Sequence, residues 1–372
     1  MTSLRRIALL LLGVLAVGYA YVGFSRLVLD YPGSYPIDLR LRWIEHRFLW
    51  EGRNPQLEGH PDLPESHARM RTQGGSYPPW AYSIGSLLVP PIPFDAVRVY
   101  YAGLSAAALL VIALWSHRLA GTPGALAVLA IFAGAICVSY GQYGVVIAGL
   151  VAAAAMLVRG RRYWTAGILL GLAMVKPQLA ALFVFAALLY GFYPVVAAAA
   201  STVVAATLVT SALARSAPWT MFSRFGGEAE LYYWLSHNPL FPWLVPVAGF
   251  RLATALLGLA GAAAFAALWR LQGPARRFEH SVAIAAVVAM FWSYRRHYDT
   301  ILMALALAPL VALGLRRGGM RLALAVGVGV TLWLPIRDTQ WAWLPVQVAD
   351  LVLWSAAAVV LALDDRWAAP RR

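Results

Sequence analysis

The chain has 372 residues, of which 61% are hydrophobic and only 12% charged, with a formal net charge of +14. A soluble domain carries about 25% charged residues, so a polytopic membrane protein is expected and a soluble enzyme is excluded. The positive charge is no argument for nucleic acid, because the arginines sit in short connectors between apolar runs, the pattern of cytoplasmic loops; the single cysteine, Cys137, excludes an intrachain disulfide.

Arg5 and Arg6 precede an apolar run from Ile7 to Leu29. A cleaved leader has an apolar stretch of only about 7–15 residues, so this run is read as a signal anchor that spans the membrane with its N-terminus in the cytoplasm. The segment that follows, residues 30–94, is then the first extracytoplasmic loop. Within it Ile37, Leu41, Ile44 and Phe48 recur at helical spacing, with Arg40, Arg42, Glu45, His46 and Arg47 on much of the remaining surface. That pattern predicts an interfacial helix over 37–50 lying along the headgroups, closed by Gly52. Trp80 to Pro93 is apolar but short and closed by prolines, which predicts an interfacial or re-entrant segment.

Apolar runs then follow at 95–116, 122–139, 143–158, 163–175, 177–190, 193–214, 246–270, 280–294, 298–315, 319–335 and 345–363. With the first run they predict about twelve transmembrane helices in one domain over residues 1–372, both termini cytoplasmic. Residues 215–245 form a second outer loop rich in Trp219, Phe222, Tyr232, Tyr233, Trp234, Phe241 and Trp243. Aromatic residues favour the membrane interface, and the same loop could wall a lipid-linked substrate. Nearly all the acids fall outside on this topology, while Arg295 and Arg296 form a basic pair on the acidic side. An out-of-place basic pair marks a candidate anion site.

Several unusual polar groups then share one side of the membrane. Asp38 follows the first span, Gln142 lies between the third and fourth, Lys176 and Gln178 between the fifth and sixth, and Arg295 to Asp299 between the ninth and tenth. Lys176 is the single lysine in an arginine-rich chain, and an ammonium is not interchangeable with a guanidinium at a tight site. Polar groups at membrane depth are costly and line a cavity or a path. No spacing suggests a metal site, a phosphate-binding glycine loop or a nucleophile elbow, so no cofactor is expected. One carboxylate facing several cations suits the transfer of a sugar from a phosphate. The acid takes a proton from the attacking hydroxyl, and the cations stabilise charge on the departing phosphate. Each residue also has a plainer reading: Asp38 as a helix cap or first-turn acid, Lys176 as a snorkelling side chain, His297 as an interfacial histidine, Gln142 as an interhelical hydrogen bond.

At this point the chain resembles the GT-C superfamily of membrane glycosyltransferases, and within it glycosyltransferase family 87. The residues that carry the resemblance are the early acid Asp38, the turn Gly52, Asn54 and Pro55, the segment Tyr77 to Pro79, and Gly141-Gln142. They continue with Gly167, Gly171 and Lys176-Pro177-Gln178, and end with His297, Tyr298 and Asp299. The resemblance implies an all-α GT-C-type bundle and an inverting transfer of a sugar, mannose by family. The donor would be a polyprenyl-phosphate sugar, the acceptor a glycolipid or glycan, and the site the outer face of the cytoplasmic membrane. It maps the base to Asp38 and the substrate-binding groups to Asn54, Gln142, Lys176, Gln178, Arg295, Arg296, His297, Tyr298 and Asp299. Gln56 replaces the aromatic residue usual after the turn, and Phe291 to Arg296 replaces a Ser-Pro-x-x-Trp pattern. The rival from another class is a transporter or lipid flippase, which would show internal repeats around a midplane site; here the polar groups lie at one edge.

Overall fold

The computed structural model describes residues 3–29, 36–59, 75, 77–225, 238, 240–274, 276–292, 296–335 and 343–367. Every regular element among them is helical. The long α1 (Ser3–Val28) is followed by α2 (Ile37–Trp50), α3 (Pro79–Leu88) and α4 (Phe94–Leu129). Next come α5 (Phe132–Tyr140), α6 (Gly144–Arg159), α7 (Tyr163–Ala173), α8 (Pro177–Leu189), α9 (Tyr193–Leu213) and α10 (Pro218–Arg224). Beyond them lie α11 (Phe241–Ala248), α12 (Phe250–Leu271), α13 (Phe278–Ala289), a 3-10 helix (His297–Met303), α14 (Ala304–Arg317), α15 (Gly319–Trp333) and α16 (Trp343–Trp367).

The helices fall where the apolar runs lie, with one redistribution. The run at 122–139 is divided: its first part continues α4 past a break at Gly121 (φ 65°), and α5 starts afresh at Phe132. Six helices are long and apolar enough to cross a bilayer, and α5 with α6, bent by 116°, would make a seventh. Four more, α7, α8, α13 and α15, have only 11 to 15 residues, short of the ~20 needed to cross alone. With the short helices counted, these make eleven among the described residues, so the expected count of twelve is not confirmed. α1 leaves Leu10, Val14, Val17 and Tyr21 more than 60% exposed, as a helix facing lipid does, whereas the stretch from the 3-10 helix through α14 is the buried centre of the bundle.

The short pair α7–α8 sets the depth of the site. A Cβ on Gly167 would meet Val195 and Ala198, and one on Gly171 would meet Thr202. Both indices rise together, so α7 runs parallel to α9 and packs on it directly, with α8 running antiparallel to both. Close approach at two glycines one turn apart is how small residues bring helix backbones together in a membrane. On that register the tip of the hairpin, Met174 to Lys176, stops about 10 Å short of the far end of α9, at 1.5 Å per residue. α3 fills the gap. Its Trp80 indole donates to the Met174 carbonyl (2.7 Å), and Ser83 bonds the Ala206 carbonyl (2.7 Å) and the Thr210 hydroxyl (3.2 Å).

α2 departs from the expected interfacial helix. Part of its polar face is buried as well as its apolar one: Arg42, Glu45 and His46 are each less than 10% exposed, while Arg47 stays exposed. Arg42 donates to Glu45 at 2.5 Å, and the His46 Nδ1–H bonds the Val89 carbonyl at 2.8 Å. The reason is α3, which lies against α2, with Gly85 admitting the His46 ring and Gly75 admitting Glu45. The expected end at Gly52 holds. Gly52 N–H bonds Leu49 O and Arg53 N–H bonds Phe48 O, a Schellman closure with Gly52 at φ 76°. In the second outer loop Trp219 and Trp243 are exposed, Phe241 is buried, and Tyr232, Tyr233 and Trp234 lie outside the described residues.

Candidate active site

Three tight turns and the first turn of α2 meet at one end of the bundle. The first turn is the α5–α6 corner. Gly141 takes a left-handed conformation (φ 69°, ψ 38°), and a Cβ there would stand 2.3 Å from the Leu39 Cβ. Only glycine lets α2 rest on this corner. The Gln142 carbonyl accepts hydrogen bonds from the Tyr101 hydroxyl (2.7 Å) and the Cys137 thiol (3.1 Å), which leaves its buried side-chain amide uncommitted among the described residues. Tyr143, at the start of α6, points its hydroxyl at Gly85 beside the His46 Nε2.

The second turn is the α7–α8 tip and the third is the 3-10 helix. They are joined by an ion pair between Lys176 Nζ and Asp299 Oδ1 at 2.5 Å, with the two side chains 6% and 1% exposed. The other carboxylate oxygen of Asp299 accepts the Arg296 N–H at 2.9 Å, closing the start of the 3-10 helix. The Lys176 ammonium also lies 5.1 Å from the centre of the Tyr298 ring, and Tyr298 packs edge-on against His297 and Tyr140. The 3-10 helix sits directly on the α5–α6 corner: a Cβ on Gly144 would meet Cys137 and Ile301 at 3.1 Å.

Asp38 lies in the first turn of α2, half-buried. It does not cap the helix, since Pro36 holds the cap position and no side chain bonds the free N–H groups. Among the described residues its carboxylate holds no hydrogen bond or ion pair. The neighbour of Asp38, Leu39, rests on Gly141, and Ile301 of the 3-10 helix rests on Gly144, so Asp38 and the ion pair both border the Gly141–Tyr143 corner.

Of the residues singled out from the sequence, Asp38, Gln142, Lys176, Arg296, His297, Tyr298 and Asp299 are gathered here. Arg295 lies outside the described residues. Gln178 borders the group: its carbonyl accepts the Trp292 indole at 2.6 Å. Asn54 lies in the turn after α2. Its side chain bonds Ser216 (3.1 Å) and the Gln56 N–H (3.0 Å), pinning the turn after α2 to the loop after α9. Lys176 does not snorkel to the headgroups; it is paired inside. Asp299, read from the sequence as a substrate contact, is in this structure the internal partner of Lys176. Tyr101, Tyr143 and Cys137 were missed, because aromatic and thiol groups inside apolar runs carry no signal of their own. Arg42 and Tyr77 were legible as residues, but not as the stack they form, with the guanidinium 4.3 Å from the ring centre.

Two cavities are found elsewhere in the bundle. One, of about 310 Å³, is walled almost wholly by apolar groups of α1, α4 and α5, from Gly13 to Phe24 on α1, and reaches Ile301 of the 3-10 helix. The other lies at the opposite end of the bundle. Neither is lined by Asp38 or Lys176. Among the described residues no three of His, Cys, Asp or Glu are gathered as a metal site.

Residues 76–293 match the model of glycosyltransferase family 87. A solved structure, ArnT from Cupriavidus metallidurans bound to undecaprenyl phosphate, aligns over 98% of this chain and 78% of its own, with 14% identity and a TM-score of 0.41. No curated protein matches the chain.

Proposed function

Because this chain belongs to glycosyltransferase family 87, we propose that it moves a sugar, mannose, from a polyprenyl-phosphate donor to a lipid- or glycan-linked acceptor at the outer face of the cytoplasmic membrane. The observation that carries this reading is the placement of Asp38, an acid with no partner among the described residues, across one corner from a buried ammonium. In the reaction the acceptor hydroxyl oxygen attacks the anomeric carbon as the bond from that carbon to the phosphate oxygen breaks. The electron pair leaves with the polyprenyl phosphate, and the hydroxyl proton passes to the Asp38 carboxylate. Attack from the face opposite the phosphate inverts the anomeric centre.

Lys176 meets the leaving phosphate, helped by Arg296 and His297. A donor phosphate reaching the ammonium would share it with Asp299, which keeps the lysine charged and in place. A phosphate is already a stable anion, so the departure needs neither a strong acid nor a metal. The apolar cavity beside α1 is of a kind that would take part of a prenyl chain, and Ile301 links its wall to the site.

The test is transfer by purified protein from a polyprenyl-phosphate sugar to an acceptor. Asp38→Asn should insert and fold normally, yet lose transfer by about 10²–10⁴-fold, the usual worth of a general base. EDTA should leave wild-type turnover unchanged. Near-full turnover by the asparagine variant would remove Asp38 from the reaction and this reading with it.

A further inference from the structure

Between α5 and α6 the chain bends by 116°. A bend that sharp interrupts the helical hydrogen-bond ladder, and a buried carbonyl at the bend needs a donor from elsewhere. At Gln142 two side chains supply it. The Tyr101 hydroxyl reaches across from α4 and donates at 2.7 Å, and the Cys137 thiol donates from the last turn of α5 at 3.1 Å. Both residues are fully buried. Cys137 also ties the two helices together. Tyr143 makes no side-chain capping bond at the start of α6, and the Cys137 sulfur accepts the Val145 N–H of the first turn at 3.2 Å.

Both halves of the site stand on this corner. Leu39, next to Asp38, lies against Gly141, and Ile301, in the 3-10 helix that begins with the Asp299 turn, lies against Gly144. A change in the angle of the corner therefore moves Asp38 relative to the Lys176–Asp299 pair. A misplacement of about 1 Å in a catalytic group costs about a hundredfold in rate. Burial in an apolar core accounts for an aromatic ring and a thiol. It does not account for two side-chain donors from different helices converging on one carbonyl.

We propose that Tyr101 and Cys137 are positioning residues for the transfer. Their shared hold on the Gln142 carbonyl fixes the corner and, through Gly141 and Leu39, the place of the Asp38 carboxylate. Neither touches the reacting atoms, and the inference rests on Asp38 being the base.

The experiment uses the full chain, purified in detergent, with transfer measured at saturating acceptor over a range of polyprenyl-phosphate sugar. Tyr101→Phe keeps the ring and loses the donor. Cys137→Ala keeps neither donor nor acceptor, and Cys137→Ser keeps both. Tyr101→Phe should lower kcat about tenfold and Tyr101→Phe/Cys137→Ala about a hundredfold, with donor KM within about twofold of wild type. Cys137→Ser should stay within about threefold of wild type, since its hydroxyl can make the same two bonds.

The deciding arm repeats Tyr101→Phe in an Asp38→Asn background. A residue that acts through Asp38 costs little once the carboxylate is gone, so the further loss should be less than about twofold. The same tenfold loss in both backgrounds marks a merely structural residue and overturns the proposal, as does wild-type kcat in Tyr101→Phe/Cys137→Ala. Near-full turnover by Asp38→Asn alone overturns the assignment of the base and this inference with it, whereas additive losses on an inactive Asp38→Asn overturn this inference only. Cys137 is the single cysteine, so its alkylation by a membrane-permeant maleimide reads the corner without turnover. Alkylation should be slow in wild type and about tenfold faster in Tyr101→Phe, as a buried thiol is protected until its surroundings open. An unchanged rate means that the hydroxyl does not hold the corner and overturns the proposal, even where the double variant fails to fold.

Discussion

At the Lys176 end of the bundle, two buried cations meet an opposite charge at close range. Lys176 has Asp299 and Arg42 has Glu45, both at 2.5 Å, with all four side chains less than 10% exposed. At the Arg159 end two ion pairs among the described residues are longer, Arg159 to Glu279 at 3.7 Å and Arg317 to Asp364 at 3.9 Å, with both arginines more than half exposed. The contrast follows from dielectric. A charge taken out of water must be paired, whereas an exposed one need not be. The first arrangement fixes geometry to a few tenths of an ångström, as chemistry requires.

The largest stability effect expected from this contrast comes from removing Asp299. Asp299→Asn leaves the Lys176 ammonium buried without its counter-charge, and such a loss costs about 3–5 kcal/mol. The chemical-denaturation midpoint of the solubilised protein should fall accordingly. Adding Lys176→Met to an Asp299→Leu change should recover much of that loss while leaving the protein unable to use its donor. At an exposed pair such as Arg47–Glu51, both about 44% exposed, Glu51→Gln should change stability by no more than about 0.5 kcal/mol. Equal effects at Asp299 and Glu51 would erase the distinction.

How much of this was legible in the chain follows the same line. The apolar runs, their breaks at Gly141 and Lys176, and the shared side of the polar turns could be read directly, because hydropathy and glycine or proline breaks act locally. The family resemblance, drawn on Asp38, Lys176 and the His297–Asp299 cluster, agrees with the match over residues 76–293, and that match decides for a glycosyltransferase over a transporter. The Lys176–Asp299 pair was not legible as a pair. Its members stand 123 residues apart, and an outer-loop acid looks the same whether it meets a substrate or a lysine. The burial of α2 was missed for a related reason. Arg42, Glu45 and His46 read as a solvated face until α3 and two glycines are laid over them.

His46 gives a test of that burial through pH. Its imidazole is fully enclosed, and burial pushes it down to about 4, against support from the Val89 carbonyl and Glu45. The unfolded chain has a histidine near 6.5. Above that value both states are neutral and His46 adds no pH dependence. As pH falls from about 6.5 to 4, the unfolded chain gains a proton that the folded one refuses, so stability declines, by up to about 3 kcal/mol. His46→Asn, which can still donate to Val89, should flatten the stability profile in that window. An unchanged slope would mean that the imidazole is solvated and that α2 lies on the surface, as first expected.

The smallest effects compare two glycines, and they bear on Asp38 directly. A methyl group on Gly18 would meet nothing within 4 Å, so Gly18→Ala should be neutral or stabilise α1 by up to about 1 kcal/mol. Gly141→Ala should do the opposite. It forces an L-residue into the left-handed region, about 1–2 kcal/mol, and its methyl would collide with the Leu39 Cβ at 2.3 Å. Trimming Leu39 to alanine cannot relieve that contact, because the colliding atom is the Cβ itself. The backbone of α2 must therefore lift, and Asp38, one residue away, lifts with it. Gly141→Ala should thus lose stability by about 2 kcal/mol and lose transfer beyond what the unfolded fraction explains. If it behaves like Gly18→Ala, α2 does not rest on the α5–α6 corner, and the proposed placement of the Asp38 carboxylate at that corner fails with it.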